Sequence, residues 1–536
     1  MTTYASDVLV IGGGLAGIVS ALELIDHGHD VLILDRDEEA VFGGLARESF
    51  GGLFFVDSRE QRRNGIVDSS AQALADWHSF AEFGPDDLMP RLWAERYIER
   101  CIPDIYEFLR RHGVSFLPLP LWVERGDQRR GNSVPRFHMV WGTGRELATR
   151  LIAALLGHPN AHRLTRRFRH RVDRLVSQDG RVCGCAGLQE SDGTPFEVRA
   201  PHVIVATGGI NGNIERVKAN WHRDWSRPPD VILNGSHRYA DGRLHDAVVA
   251  AGGTLTHLDN MWNYASGVHH WRPRKPLHGL SLVPPKSALW LNYRGERMSP
   301  PLVSGFDTRA LVTAICAQAR PYSWQLLNRR IALKELAVSG AEFNPSIREK
   351  SWLGLLRDTL LGNHWLVREL TESCADVVTA HSLPELVGKM NARQGDGSVD
   401  LACLTDAVAR YDAAVDAPDG GGDPQLRRIA ELRRYRGDRL RISKSQKILD
   451  PRALPLIAIR EFIVSRKSLG GIKTDLQCRV LAADDSPIPG LLAVGEAAGF
   501  GGGGMHGLRG LEGTFLGGCI LTGRMAGRAI AGREEV

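Results

Sequence analysis

Nowhere does the chain string together the roughly 20 apolar residues that a bilayer-crossing helix requires, and no membrane span is expected. Cysteine is sparse and scattered, eight in 536 residues. Only Cys183 and Cys185 lie close together, on what reads as a strand, with no second pair or nearby histidine to complete a metal set. Neither disulfides nor a metal centre is expected. An excess of one charge is also missing, since 67 Lys and Arg stand against 62 Asp and Glu. The basic clusters 163–174 and 427–441 are interrupted and read as solvated faces, and no nucleic-acid partner is expected. Repeats of solenoid period are absent. The first apolar run begins by Asp7, which leaves no room for a leader, and a cytoplasmic location is expected. What remains is the composition of a globular enzyme, 43% hydrophobic and 24% charged, in a chain too long for one core.

The most informative segment is residues 7–35, DVLVIGGGLAGIVSALELIDHGHDVLILD. An apolar run feeds the turn Gly12-x-Gly14-x-x-Gly17, a helical pattern follows from Leu15 to Ile25, and the apolar run Val31 to Leu34 ends on Asp35. Gly12 permits the turn, Gly14 admits a pyrophosphate, and Gly17 lets helix and strand pack closely. The helix start offers N–H groups and partial positive charge to phosphates. Asp35 sits where a carboxylate can accept ribose hydroxyls. Strand, turn, helix, strand and acid in this order predict a bound dinucleotide.

Strands and helices alternate early, which argues for a parallel sheet with helices on both faces. Helical patterns cover 66–112, punctuated at 84–87, and 144–157. Residues 168–176 and 180–189 read as a strand pair about the turn 178–180, and 203–206 as a short buried strand. Near residue 270 His, Trp and Pro crowd together, and a Gly/Pro/Asp tract at 417–424 precedes the return to strand and glycine signals.

Two glycine segments choose between FAD and NAD. Residues 42–52 carry Gly43-Gly44 and Gly51-Gly52, directly after the Asp35 strand, where a ligand longer than adenosine still needs contacts. Residues 487–527 read as a strand, Gly495-Glu496, a glycine loop and a helix from about Thr514, whose start suits the negative charge of a reduced flavin. Gly499-x-Gly501-x-x-Gly504 also fits the dinucleotide pattern but lacks a downstream strand ending in an acid, and is rejected as a second nucleotide site. One dinucleotide and no NAD(P)H domain point to FAD, with electrons leaving to a separate, unidentified acceptor.

With these pieces in order, the chain resembles the flavoprotein superfamily of fumarate reductase, succinate dehydrogenase and 3-ketosteroid dehydrogenases. The matching segments are IGGGLAG, the glycine pairs of 43–52, VIVATGGINGN (203–213), ADGRLHDAVVAAGG (240–253), LWLNYRGERM (289–298), SLGGIKTD (468–475) and PIPGLLAVGEAAG (487–499). Further segments, among them GNSVPRFHMVWGTG and GFGGGGMHGLRGLEGTFLGGC, look like the ketosteroid-dehydrogenase-like FAD-binding dehydrogenases. The resemblance implies an α/β fold: a Rossmann-like FAD-binding domain of two chain segments, 1–270 and 445–536, with an inserted α+β cap (substrate) domain at 271–444. It places Gly12, Gly13, Gly14, Leu15 and Ala16 at the pyrophosphate, and Asp35 and Arg36 at the ribose and adenine edge. Gly43, Gly44, Leu45, Ala46, Ser49, Gly51 and Gly52 would line the flavin. Val172 would offer its backbone to adenine, and Ala206, Thr207 and Gly208 would flank the dinucleotide. Gly495 and Glu496 would reach the ribityl chain, and Thr514, Phe515 and Leu516 the pyrimidine edge. Relatives with covalent flavin carry a histidine where Leu45 stands, so FAD is expected to be non-covalent.

The active-site pattern departs from the fumarate reductases. Their His-Thr before Gly-Gly is replaced by Lys467-Ser468-Leu469-Gly470-Gly471, and their later arginine aligns with Gly510. Ketosteroid dehydrogenases have a tyrosine and, four residues on, a glycine whose N–H polarises the substrate carbonyl; Arg509 and Gly513 occupy that spacing. The expected reaction is desaturation of an apolar, steroid-like cyclic ketone, with Arg509 and the Gly513 N–H on the carbonyl and hydride passing to flavin N5. His138, Tyr264 and His506 are alternative proton acceptors. Two other readings stay open: a fumarate-reductase-type enoate or α-keto acid reductase, and a flavin-bearing redox protein without turnover. The cap tryptophans are read either as packing or as walls of an apolar pocket.

Overall fold

The computed structural model describes residues 2–533, which form two compact units. The first comprises Met1–His222, Ser236–Trp262 and Arg466–Val536; the second comprises Arg223–Gly235 and Asn263–Ser465. Relative to expected divisions at 271 and 445, the second unit begins earlier, ends later and takes in 223–235. The reason is pairing: strand Ile232–Asn234 lies parallel to Ile463–Ser465 and is held by that unit's sheet.

In the first unit a six-stranded sheet runs in the order Arg479–Leu481, Pro487–Ala493, His202–Val205, Val8–Ile11, Val31–Leu34 and Leu164–Arg167. The last five strands are parallel. Val8–Ile11 and Val31–Leu34 are buried at every position, as expected of strands covered on both faces. A second sheet joins Thr2–Ala5, Pro195–Arg199, Arg181–Gln189 and His170–Gln178. Its hairpin turns at Asp179 and Gly180, both with positive φ, the backbone that a two-residue turn between twisted strands demands.

The carboxyl-terminal segment completes the main sheet. Strand Pro487–Ala493 inserts beside His202–Val205, and helix Thr514–Ile530 packs on helix Leu15–Asp26. Glycine makes that approach possible: a Cβ at Gly523 would lie 2.7 Å from the Ala16 carbonyl oxygen, and one at Gly527 2.6 Å from Glu23 Cβ. Arg524, nearly buried, ion-pairs with Glu23 across the same contact.

The second unit is α+β. Its sheet orders Leu289–Leu291, Tyr322–Asn328, Leu456–Ser468, Met261–His269, Gly279–Val283 and Ala337–Val338, with Ile232–Asn234 and Val377–Ala380 also pairing to the long strand. Phe306, Tyr322 and Trp324 lie in its apolar core. Trp290 donates to Ser323 Oγ at 2.7 Å and Trp324 to Gln394 Oε1 at 2.7 Å. These aromatics pack the unit's interior.

No described helix is long and apolar enough to cross a membrane. Among the described residues no group of three His, Cys, Asp or Glu side chains is placed to hold a metal ion.

Candidate active site

The carboxyl ends of the parallel strands bring three loops together, the position where open α/β sheets bind ligands. The Val8–Ile11 strand ends in Gly12, whose φ of +112° is open to glycine and whose Cβ would lie 2.4 Å from the Ala206 carbonyl oxygen. A Cβ at Gly17 would sit 2.0 Å from the Gly12 oxygen, so this glycine sets how closely helix and turn pack. Gly14 differs from both: a Cβ there would meet nothing within 4 Å. Gly14 is also the N-cap of helix Leu15–Asp26, with no side chain bonded to the helix start. Open space faces a helix end that no side chain caps, which fits a pyrophosphate. Leu15 and Ala16, the next two residues, are buried.

Asp35 accepts from the Gly13 N–H at 2.8 Å and from the Asp37 N–H at 2.7 Å. Burial raises its carboxyl above the ordinary value, and these two donors oppose the rise. Arg36 is held by Glu190 at 2.8 Å and Asp241 at 2.9 Å, with its guanidinium 4.2 Å from the centre of the Tyr239 ring. Gly43, also left-handed, donates to the Gly13 carbonyl at 2.9 Å and bridges Gly14. Gly44, Leu45 and Ala46 follow in a short 3₁₀ turn beside them.

Ser49, Gly51 and Gly52 lead away from this turn. Ser49 Oγ donates to the Ala46 carbonyl at 2.8 Å, and its backbone oxygen accepts from the Gly144 N–H at 3.0 Å. A Cβ at Gly51 would lie 2.6 Å from Gly144 N, and one at Gly52 1.9 Å from the Phe137 ring. Protein packing alone therefore requires both glycines. Ala206, Thr207 and Gly208 follow strand His202–Val205, with the Ala206 N–H bonded to the Ile11 oxygen at 2.8 Å. Val172, on strand His170–Gln178, is buried in the same apolar cluster as Leu32 and Leu34.

Gly495, with positive φ, donates to Thr522 Oγ1 at 2.9 Å. Glu496 Oε1 accepts from the Ser468 N–H at 2.9 Å, and loss of solvation pushes its carboxyl up to about 7. Ser468 in turn donates to Asn211 Oδ1 at 2.7 Å and accepts from the Ile210 N–H at 2.9 Å. Glu496, Ser468, Asn211 and the Ile210 N–H thus form one hydrogen-bonded cluster.

Helix Thr514–Ile530 starts at Gly513, whose φ is +99° and whose Cβ would lie 2.7 Å from Phe54 N. His506 Nε2 is 2.8 Å from Thr514 Oγ1, and that hydroxyl donates to the Leu511 oxygen at 2.5 Å. The hydroxyl proton is spent on Leu511, so Nε2–H is the donor and Nδ1 carries the lone pair. Burial holds the His506 imidazole down to about 3, with the Lys467 charge acting in the same direction. Phe515 packs 4.8 Å from His506, ring centre to ring centre, and Leu516 is half-buried in the same turn.

The proposed catalytic groups are not all in one place. Arg509 forms an ion pair with Glu82, which also pairs with Arg129 at 2.6 Å. His138 is fully buried, with Nδ1 2.8 Å from the Arg136 oxygen and Nε2 2.7 Å from Ser58 Oγ. Burial brings its pKa down to about 4. Both nitrogens are thus taken by the protein itself, Nε2 by the serine that caps helix Arg59–Arg63 and Nδ1 by the Arg136 backbone. Tyr264 lies in the second unit, packed against that unit's core.

A residue given no role from sequence stands at the helix start instead. Lys467 Nζ is 4.0 Å from the centre of the Phe515 ring, and burial pulls its ammonium down to about 8 against the opposing charge of Glu512. Glu512 Oε1 accepts from Trp262 Nε1 at 2.8 Å. The one available signal was position: Lys467 stands where fumarate reductases carry the histidine of their His-Thr pair. Lys467, Phe515, Glu512, Trp262 and His506 form an aromatic-lined set with one amine able to titrate near neutrality.

The FAD binding domain family matches residues 7–516. The KsdD-like steroid dehydrogenase of Mycobacterium tuberculosis is 44% identical over 547 residues, covering 98% of this chain and 96% of that one. The fold is similar to that of 3-ketosteroid Δ1-dehydrogenase from Sterolibacterium denitrificans, with a TM-score of 0.72 at 15% identity over 99% of this chain and 100% of that one. It is also similar to 3-ketosteroid Δ4-(5α)-dehydrogenase from Rhodococcus jostii RHA1, with a TM-score of 0.66 at 21% identity over 98% and 97%. The chain belongs to the FAD binding domain family and is an FAD-dependent dehydrogenase.

Proposed function

We propose that the enzyme desaturates an apolar cyclic ketone of the 3-ketosteroid kind, removing a proton beside the carbonyl and a hydride from the adjoining carbon. The observation that carries this reading is the group at the start of helix Thr514–Ile530, where Lys467 stands over Phe515 beside Glu512 and Gly513. The near full-length identity to a relative named as a steroid dehydrogenase supports the substrate class.

In this reading the Gly513 N–H and the positive end of its helix hold the ketone oxygen as negative charge develops there. Lys467, as the neutral amine, takes the proton from the carbon next to the carbonyl and becomes the ammonium, which loses it to solvent. Bound FAD supplies the two-electron oxidant that receives the hydride. The carbon–carbon double bond forms between the two carbons that lost hydrogen. Arg509, tied to Glu82, acts as a positioning residue for the loop that carries Gly513, and His506 holds Thr514 in the first turn.

The Gly12–Ala16 turn is assigned to the pyrophosphate, with Asp35 on the ribose and Arg36 and Val172 on the adenine side. Gly43 to Ala46 with Ser49, Gly51 and Gly52 are assigned to the ring, Ala206 to Gly208 to the dinucleotide, Gly495 and Glu496 to the ribityl chain, and Thr514 to Leu516 to the pyrimidine edge. Leu45 offers no atom for a covalent link, so the flavin is held non-covalently. A separate acceptor collects the electrons, and the inserted unit serves substrate selection.

The test is turnover with an artificial dye as acceptor, read by mass spectrometry of the ketone. A steroid product lighter by two hydrogens supports the reading. Turnover of enoates with no change in any cyclic ketone would replace it.

A further inference from the structure

Within the second unit, helices Arg329–Glu335 and His364–Ser373 flank a groove of 450 Å³, lined also from strands Val377–Ala380 and Leu456–Ser468. Small-molecule sites commonly measure ~300–1,000 Å³. None of the residues lining this groove is assigned to the cofactor or the ketone.

The walls are set by local sequence. Helix His364–Ser373 presents His364, Val367, Arg368, Thr371 and Glu372 to the groove, the three- and four-residue spacing of one helix face. Arg329 and Leu333, one turn apart, come from the other helix. Asn328 caps that helix by accepting from the Ile331 N–H at 3.0 Å, and Asn363 caps its neighbour by accepting from the Leu366 N–H at 3.1 Å. The Asn363 N–H donates to the Leu333 oxygen at 3.0 Å, and the Arg329 N–H to the Pro455 oxygen at 3.1 Å. These bonds tie the two helices and the strand connection together, so the groove is formed without a ligand.

Apolar surface and charge meet there. Val367 and Ile457 are buried, and Leu333 and Pro455 extend the same apolar lining. Arg330 pairs with Asp450 at 2.7 Å, but its neighbour Arg329 pairs with no carboxylate among the described residues, and neither does Arg368. Glu372 is the one acid lining the groove among the described residues. Two guanidiniums against one carboxylate leave one positive charge. A guanidinium fork matches a carboxylate or phosphate, but a phosphate dianion would overshoot this balance and meet Glu372, whereas a monocarboxylate closes it. The apolar lining adds a hydrocarbon body to the requirement.

We propose that this groove binds a monocarboxylic acid with an apolar body, its carboxylate held by Arg329 and Arg368 and its hydrocarbon against Val367, Pro455 and Ile457. The inference stands on these residues alone and is independent of the ketone reading.

The test is calorimetric titration of the full-length, flavin-loaded protein with octanoate, 1-octanol and inorganic phosphate. Octanoate is expected to bind at least about ten-fold more tightly than either of the others, since only it supplies both the charge and the hydrocarbon. Arg329→Gln and Arg368→Gln should each weaken octanoate by roughly ten-fold, with melting temperature and flavin content unchanged. Both side chains are exposed, so neither variant threatens the fold. Glu372→Gln, which removes the opposing charge, should tighten octanoate. No octanoate binding, or equal binding by both arginine variants, overturns the proposal. Octanol binding as tightly as octanoate would show a site that ignores charge, and phosphate binding as tightly would show one that reads charge alone; either result also overturns it.

Discussion

The Lys467 ammonium stands over the face of Phe515, 4.0 Å from the ring centre. Phe515 lies in the first turn of the carboxyl-terminal helix, two residues beyond Gly513. Lys467 is the penultimate residue of strand Leu456–Ser468, and its neighbour Ser468 is bonded to Glu496. One short stretch of backbone therefore connects the amine to the hydrogen-bonded cluster assigned to the cofactor.

If Lys467 takes the proton, Lys467→Met should slow flavin reduction by ketone by roughly 10²- to 10⁴-fold with FAD still bound. The wild-type rate should rise as pH increases through about 8, because the neutral amine is the working form. Stopped-flow reduction across pH checks both. A profile flat through that range, or a variant as fast as wild type, would remove the role.

Gly14 and Gly17 separate cofactor binding from folding. Gly17→Ala drives a Cβ to 2.0 Å from the Gly12 carbonyl oxygen and should yield unfolded or flavin-free protein. Gly14→Ala meets no protein atom and should fold normally, yet weaken FAD by about ten-fold, or about 1.4 kcal/mol. Melting curves and flavin titration distinguish the two. Unchanged affinity in Gly14→Ala would place the pyrophosphate elsewhere.

Arg509 and Glu82 should behave as a unit. Arg509→Leu and Glu82→Gln are each expected to lower kcat about ten-fold through the loop they hold, leaving FAD content intact. The double variant should be no worse than the poorer single one, a coupling of about 0.5–3 kcal/mol in a double-mutant cycle. Additive losses would show that Arg509 acts apart from Glu82.

Acid should unfold the protein through its buried histidines. His138 and His506 are held neutral down to about 4 and about 3 in the fold, whereas an unfolded histidine titrates near 6.5. Their folded values are depressed, so below about 6.5 the unfolded state binds protons that the fold refuses. Stability should fall toward pH 4 by about 1.4 kcal/mol per pH unit for each histidine. Urea unfolding at pH 7 and pH 5 measures this, and His506→Asn should reduce the loss. Equal stability at both pH values would contradict the buried, neutral assignment.

Local features were legible in the sequence. The glycine turn, Asp35 and the helix at Thr514 depend on neighbouring residues and appear where their patterns place them. Long-range partners were not. Glu82 pairs with Arg509 across 427 positions, and Ser58 reaches His138 across 80. A histidine in an aromatic loop reads the same whether its nitrogens face a ligand or the protein's own backbone. Lys467 resembles any lysine at a strand end until folding brings Phe515 beneath it. The unit boundaries shifted for a similar reason, because Ile232–Asn234 is claimed by a strand more than 200 residues away.

Anaerobic titration of the purified yellow protein with a 3-ketosteroid, followed by flavin absorbance, tests the account most directly. Stoichiometric bleaching by the steroid, with none from succinate, is the predicted result. A flavin that stays oxidised with every cyclic ketone while succinate bleaches it would contradict the account.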